Sequence, residues 1–176
     1  MRLDYSLRSS SDPISIAESI AKPFENCKLD AYWDVAGYPT NGWGNLLSRV
    51  TKKQIMAKHG FSSAEADLWL HAKWPRISQD KADSDFHRNL MKAYNGVLKY
   101  VSVQLGANQL AALTDFAYNL GVGNLQISTL LKMINRGELV EAADQFPKWN
   151  KAGGVVYRGL TRRRLAERSI YLDGLL

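Results

Sequence analysis

The 176-residue sequence contains a single cysteine, Cys27, so the chain has no intramolecular disulfide. Its stability must come from packing, as is usual for a protein that matures in a reducing cytosol. Hydrophobic residues make up 45% of the chain, which is enough to bury a core. At this length, one domain covering residues 1–176 is the expectation.

Long apolar runs are also missing. No stretch approaches the roughly 18 consecutive apolar residues of a membrane-spanning helix. The N-terminal residues contain no apolar segment of signal-peptide length. We therefore expect neither a membrane span nor export through a signal peptide.

Motifs for metal or nucleotide chemistry are absent as well. The three histidines, His59, His71 and His87, are too scattered for a local zinc motif. There is no phosphate-binding glycine loop and no nucleophile elbow around a serine. The sequence thus predicts no metal and no cofactor.

Charge is unevenly distributed. The net charge of +6 would attract any anionic polymer, so by itself it does not separate nucleic acid from membrane or cell envelope. A cluster of arginines near the C-terminus predicts a contact surface for an anionic envelope or membrane: Arg158, Arg162, Arg163, Arg164 and Arg168. The competing interpretation is a packed terminal helix with a solvated basic face.

The N-terminal quarter changes from helical to β patterning. Asp12-Pro13 predicts a helix start, and Pro23 predicts a kink or stop just before Glu25. From about residue 29 to 46, aromatic residues alternate with glycine and proline, which predicts a small lobe of short β-strands and tight turns. This is the only β segment that the sequence predicts.

The rest of the chain has helical periodicity. Ser62 to Glu65 reads as a capping box, and further helix starts are predicted at Ser78, Asn108, Ser128 and Thr161. The predicted fold class is therefore α+β, with a small N-terminal β-hairpin lobe and a helical C-terminal lobe.

Three residues near the β segment suit glycoside hydrolysis, which needs an acid for the leaving oxygen and a second group that activates water or stabilises positive charge. Glu25, at the end of an apolar helix, would be partly desolvated and so kept protonated. Asp34, among turn glycines, would stay ionised. Thr40 offers a hydroxyl that can orient a water. The competing interpretations are a solvated helix-end glutamate, a turn aspartate bonded to its own backbone, and a strand threonine.

The segment FENCKLDAYWDVAGYPTNGWGN, residues 24–45, resembles the active-site region of the phage-type lysozyme family of glycoside hydrolases. In that family a glutamate, an aspartate and a threonine are separated by eight and then five residues, as Glu25, Asp34 and Thr40 are. Later segments, at 108–110, 119–123, 128–131 and 159–168, also resemble the family. The resemblance therefore extends from about residue 14 to 172.

The resemblance implies a lysozyme-like fold, with Glu25 as general acid and Asp34 and Thr40 positioning or activating the water. It also implies substrate contacts at Tyr118, Asn119 and Thr129, and the Trp43 ring is predicted to stack on a sugar face. The competing interpretations are core aromatics for Trp43 and Tyr118 and a helix-end cap for Asn119. Two features depart from the family. First, Asn45 stands where a histidine is common and Asn41 where an apolar residue is common. Second, the connection from about residue 50 to 75 is longer than usual and is predicted to be an inserted helical element.

By the same resemblance the protein would be an endolysin. It would act as a monomer on peptidoglycan, not on nucleic acid, cleaving β-1,4 bonds between N-acetylmuramic acid and N-acetylglucosamine. It would collect in the cytoplasm of an infected bacterial host until a holin partner opened the membrane. Three alternatives remain: a wall-binding protein without catalysis, a cationic membrane-permeabilising protein, and a lytic transglycosylase.

Overall fold

The computed structural model describes residues 12–175. Its helices are α1 (Pro13–Ala21), α2 (Lys52–His59), α3 (Ser63–Lys73), α4 (Gln79–Tyr100), α5 (Ala107–Leu120), α6 (Val122–Ile127), α7 (Thr129–Asn135), α8 (Leu139–Ala142) and α9 (Arg158–Asp173). Its strands are β1 (Lys28–Trp33), β2 (Pro39–Gly42), β3 (Asn45–Leu46), β4 (Lys151–Ala152) and β5 (Val155–Val156), and 3-10 turns lie at Lys22–Phe24 and Ala143–Trp149. The predicted α+β class is confirmed.

The chain divides into two compact units. The small unit is Glu25–Arg88, and the large unit combines the N-terminal residues up to Phe24 with Asn89 onward. The prediction of one domain over 1–176 stays a prediction.

The small unit is built on an antiparallel sheet in the order β1-β2-β3. β1 pairs with β2 through Lys28 opposite Gly42 and Tyr32 opposite Thr40, with an irregularity between these pairs. After the sheet come α2 and α3, which begin at capping boxes on Thr51 and Ser62. Both helices lie in the stretch for which an inserted helical element was predicted.

The large unit packs around α5, which presents a nearly continuous run of buried residues. Phe116 of α5 meets the ring of Phe146 edge to face, with centroids 5.8 Å apart, and Phe146 in turn contacts Tyr171 of α9. All three rings are fully buried. Burial of each large aromatic side chain contributes roughly 1.5–3 kcal/mol to folding, so these contacts anchor α9 against α5.

Helix starts with strong local signals lie where the sequence predicts them. Asp12 caps α1 by accepting from the backbone N–H groups of Ile14 and Ser15. The helix ends at Ala21, and a 3-10 turn containing Pro23 follows. The starts at Ser62, Ser78 and Ser128 are also confirmed, because each serine Oγ accepts a backbone N–H from the first turn.

Two predicted caps are wrong. α5 begins after Gly106 rather than at Asn108, because the Gln109 side chain reaches back and accepts from the Gly106 N–H at 2.8 Å. α9 begins at Arg158, so Thr161 lies inside the helix. The Thr161 hydroxyl donates to the Tyr157 carbonyl one turn earlier, at 3.1 Å.

A second β element was also missed. β4 and β5 pair as a short hairpin across Gly153-Gly154. Each strand is two residues long, which is too short to show the alternation by which strands are recognised.

The expectation that five C-terminal arginines form a contact surface is wrong for two of them. Arg163 is 3% exposed and Arg164 is fully buried. Arg163 binds Asp115 of α5 with both Nε and Nη2, at 3.0 and 2.6 Å, and Arg164 pairs with Glu167. Burying an arginine requires such a carboxylate, since an unpaired buried charge is very costly.

The other three arginines are at least partly accessible. Arg158 and Arg162 are exposed, and Arg168 is partly exposed and paired with Asp144. Within residues 12–175, no helix is long and apolar enough to cross a membrane.

Candidate active site

Asp34 begins the turn that joins β1 to β2. Its Oδ1 accepts from the backbone N–H groups of Ala36 and Tyr38, at 2.9 and 2.8 Å. Its backbone carbonyl accepts from Gly37, whose φ of +83° closes the turn in a conformation that glycine adopts readily. No hydrogen bond from residues 12–175 reaches the other carboxyl oxygen, Oδ2. Asp34 is therefore fixed through one oxygen and can offer the other to a ligand.

Thr40 lies on β2 and is 4% exposed. Its hydroxyl donates to the carbonyl oxygen of Tyr38 at 3.2 Å. The same carbonyl accepts the backbone N–H of Asp34 at 2.9 Å. The structure thus brings Asp34 and Thr40 together around one backbone group.

Asn41 and Asn45, the two asparagines that depart from the family pattern, bind each other. They are cross-strand partners in the β2–β3 pair, and the Asn45 Nδ2 donates to the Asn41 Oδ1 at 3.2 Å. Asn41 is 3% exposed, so this amide contact satisfies a group that would otherwise be buried without a partner. An amide pair therefore fixes the hairpin next to Thr40.

Glu25 is half-buried and directly follows the 3-10 turn that ends α1. Its link to the rest of the site is Tyr32 of β1. Burial raises the pKa of Tyr32 above its ordinary value of 10.0, and the negative charges of Glu25 and then Asp34 raise that pKa further. The negative charges of both carboxylates thus act on the same phenol.

Tyr32 is a residue that the sequence interpretation missed as a site component. It lies directly opposite Thr40, and opposed residues of an antiparallel pair project to the same face of the sheet. The Lys28 ammonium stands over its ring, 4.3 Å from the centroid. In the sequence, Tyr32 is noticed only as part of the family motif. Its position opposite Thr40 depends on the strand register, which the sequence does not reveal.

Trp43 is half-buried in the turn between β2 and β3. Its indole N–H donates to Asp83 Oδ1 at 2.6 Å, and its ring packs on Phe86 with centroids 5.7 Å apart. Two residues of α4 thus fix the orientation of this ring. Its predicted role in stacking on a sugar stays a prediction.

The remaining predicted substrate contacts belong to the large unit. Tyr118 and Asn119 lie half-buried at the end of α5, and Thr129 is exposed at the start of α7. The Asn119 Oδ1 is buried without a hydrogen-bond partner among the described residues. Their role in substrate binding likewise stays a prediction.

Among residues 12–175 the structure holds no group of histidine, cysteine and acidic side chains suited to a metal. Cys27 is partly exposed, and its Sγ lies 3.8 Å from the Gln79 Oε1.

Comparison with known proteins identifies the fold. The model of the family described as phage lysozyme matches residues 22–167. Among solved structures, the active form of the phage P1 endolysin superposes with a TM-score of 0.71 at 22% identity, covering 97% of this chain and 90% of that one. The predicted lysozyme-like fold is thus confirmed.

Curated relatives give the same family. An endolysin of Bacillus phage B103 is 35% identical over 158 residues, which are 89% of this chain and 52% of that protein. A SAR-endolysin of Enterobacteria phage P21 is 38% identical over 143 residues, 81% of this chain and 74% of that protein. The chain spans about half the length of the Bacillus phage endolysins it matches. From the family match and these identities together, the chain belongs to the phage lysozyme family.

Proposed function

We propose that this chain is an endolysin domain that hydrolyses the β-1,4 bonds between N-acetylmuramic acid and N-acetylglucosamine in peptidoglycan, for lysis of a bacterial host. Family membership supports the reaction class. The observation that carries the assignment to these residues is the grouping of Asp34, Thr40 and Glu25 around Tyr32 and the β1–β2 turn.

In the proposed mechanism Glu25 is the general acid. It donates a proton to the glycosidic oxygen as the bond from that oxygen to the anomeric carbon breaks, and positive charge develops on the sugar. Glu25 is half-buried and directly follows the 3-10 turn that ends α1, so the fold fixes its backbone beside the small sheet.

Asp34 and Thr40 act on the water. Asp34 Oδ2 accepts one proton of the water as the water oxygen bonds to the anomeric carbon from the opposite face, which inverts the configuration. The hydroxyl of Thr40 donates a hydrogen bond to the Tyr38 carbonyl, so its lone pairs are directed to accept a hydrogen bond from the same water. Because Asp34 Oδ1 is bound to the turn, Asp34 Oδ2 and the Thr40 hydroxyl keep a fixed position relative to each other.

Substrate contacts are proposed at Trp43, Tyr118, Asn119 and Thr129. Exposed Arg158 and Arg162 are proposed to contact the anionic envelope. We also propose that the protein is a monomer and that it collects in the host cytoplasm until a holin partner opens the membrane. The burial of Arg163 and Arg164 weighs against the alternative of a membrane-permeabilising basic helix.

The test is digestion of purified peptidoglycan by the wild type and by Glu25→Gln, with mass spectrometry of the released fragments. Glu141→Gln, an exposed carboxylate on α8, is the matched control. We expect reducing muramic-acid ends from the wild type and the control, and none from Glu25→Gln. Anhydro ends would instead identify a transglycosylase, and a wild type that releases no fragments would overturn the proposal.

A further inference from the structure

A single carboxylate oxygen on α3 binds both flanks of the Asp34 turn. Asp67 Oδ1 accepts the indole N–H of Trp33 at 2.8 Å and the ammonium of Lys52 at 2.6 Å. Trp33 is the last residue of β1 and immediately precedes Asp34. Asp67 thus holds the strand end from which the proposed water-binding carboxylate projects.

Lys52 connects the same carboxylate to the far side of the turn. It is the first residue of α2, and its backbone N–H donates to the carbonyl oxygen of Gly37 at 2.8 Å. Gly37 in turn donates to the carbonyl oxygen of Asp34 at 2.9 Å. The path from Trp33 through Asp67 and Lys52 to Gly37 therefore closes a ring of hydrogen bonds around Asp34.

The charges of Asp67 and Lys52 strengthen the hydrogen bonds of this ring. The hydrogen bond from Lys52 holds the pKa of Asp67 below its ordinary value, and the one from Trp33 acts in the same direction. Asp67 is therefore ionised at neutral pH, where both of its hydrogen bonds are charge-assisted and one is also an ion pair.

A contribution to the free energy of unfolding does not explain well why Asp67 binds Trp33 and Lys52. The Asp67 side chain is 48% exposed, and ion pairs so open to water add little to the free energy of unfolding. Fixing a turn requires much less energy than stabilising a domain, whereas displacement of a reacting group by about 1 Å can slow a reaction as much as a hundredfold.

We propose that Asp67 is a positioning residue, which through Trp33 and Lys52 fixes the turn that carries Asp34. The inference rests on the proposed function for its effect on catalysis, although the fixing of the turn can be measured without any reaction. It also gives α2 and α3 a role, as a support for the active-site turn.

The test compares Asp67→Asn with the wild type by two readouts. The first is hydrogen exchange of the Ala36 and Tyr38 amides, which bind Asp34 Oδ1. The second is kcat and KM for peptidoglycan fragments. We expect faster exchange at both amides, a kcat lower by about tenfold to a hundredfold, and an almost unchanged KM and melting temperature.

The matched control is Glu65→Gln on the same helix. Glu65 accepts the Ser62 N–H at the start of α3, a bond that glutamine can also make, and it is not part of the hydrogen-bond ring around Asp34. The control should leave exchange at Ala36 and Tyr38 and kcat as in the wild type. Lys52→Met should reproduce Asp67→Asn, and the two changes combined should add little, since they break the same ring.

The outcomes separate this inference from the proposed function. If the Ala36 and Tyr38 amides exchange faster in Asp67→Asn but the wild type cleaves no peptidoglycan, Asp67 does fix the turn and the proposed hydrolase activity is refuted. An active wild type whose exchange and kcat are both unaffected by Asp67→Asn would overturn the positioning role alone. Equal losses in Glu65→Gln would also overturn it, because they would show that the loss of any carboxylate from α3 has the same effect.

Discussion

Asp34 and Thr40 share one acceptor: the backbone N–H of Asp34 and the hydroxyl of Thr40 both donate to the carbonyl oxygen of Tyr38, at 2.9 and 3.2 Å. The shared acceptor fixes the direction of a hydroxyl that is almost wholly buried. Thr40→Val keeps the shape but removes the hydroxyl, whereas Thr40→Ser keeps the hydroxyl. We expect Thr40→Val to lower kcat by about a hundredfold and Thr40→Ser by much less. Fragment release measured against enzyme concentration checks this, and a Thr40→Val variant as active as the wild type would remove Thr40 from the mechanism.

Two substitutions of Asp34 separate its structural role from its chemical one. In Asp34→Asn the amide oxygen can still accept from Ala36 and Tyr38, so folding should be unchanged while catalysis is lost. In Asp34→Ala both turn hydrogen bonds disappear as well, and the free energy of unfolding should fall by about 1–3 kcal/mol. Urea unfolding together with turnover checks both variants. If Asp34→Asn retained turnover, Asp34 would be a turn residue and nothing more.

The sequence predicts those parts of the fold that depend on neighbours in the chain. The capping box from Ser62 to Glu65 forms as predicted because both of its hydrogen bonds lie within four residues. Asp34 and Thr40 are likewise close in the chain, and one turn brings them together. Thr161 fails as a cap because serine and threonine can equally bind the carbonyl one turn back, and the choice depends on where the helix starts.

Long-range contacts could not be predicted in this way. Arg163 looks like a solvated surface residue in a basic run, yet it is buried against Asp115, 48 positions away. Asp67 gives no sign in the sequence that it binds Trp33, because that contact depends on the packing of α3 against β1. Charge clusters in a sequence therefore overestimate the surface available for contact whenever a partner lies far along the chain.

The buried Arg163–Asp115 pair gives a prediction about stability. Asp115→Asn removes the carboxylate that binds the buried guanidinium of Arg163 through two hydrogen bonds, and we expect a loss of about 3–5 kcal/mol in the free energy of unfolding. The double variant Asp115→Leu with Arg163→Met removes both charges and should recover much of this loss. Denaturant unfolding measures both. The exposed pair of Arg136 and Glu138 is the control, since Glu138→Gln should leave the midpoint unchanged.

Tyr171 gives a prediction about alkaline pH. Burial raises its pKa to about 12, and its hydroxyl is buried without a partner among the described residues. The folded state thus holds the phenolic proton more tightly than the unfolded state, whose pKa is near 10. The resulting stability is present below pH 10 and is lost as the pH rises toward 12.

Tyr171→Phe should remove this dependence. At pH 7 we expect it not to destabilise the protein, because it deletes an unsatisfied hydroxyl. Between pH 10 and 12 the wild type should lose about 2–3 kcal/mol relative to the variant. Thermal unfolding at several pH values checks this, with Tyr157→Phe, an exposed tyrosine, as the control. A pH-independent difference between wild type and Tyr171→Phe would contradict the assignment.

Gly96 of α4 permits a close approach of α6. A Cβ at this position would lie 2.5 Å from the Cγ2 and 2.7 Å from the Cγ1 of Val122, well inside van der Waals contact. Gly96→Ala should therefore lower the free energy of unfolding by about 1–3 kcal/mol, despite the higher helix propensity of alanine. The double variant with Val122→Ala should recover part of this loss, because the shorter side chain makes room for the new methyl group.

The control for helix propensity is Gly159 of α9, where an added Cβ meets nothing within 4 Å. Gly159→Ala should leave stability unchanged or raise it by up to about 1 kcal/mol. Urea unfolding of these variants separates the two effects, because propensity favours alanine at both positions while the steric clash occurs only at Gly96. A stabilising Gly96→Ala would mean that α6 moves aside at little cost, and that the approach of Val122 does not require glycine.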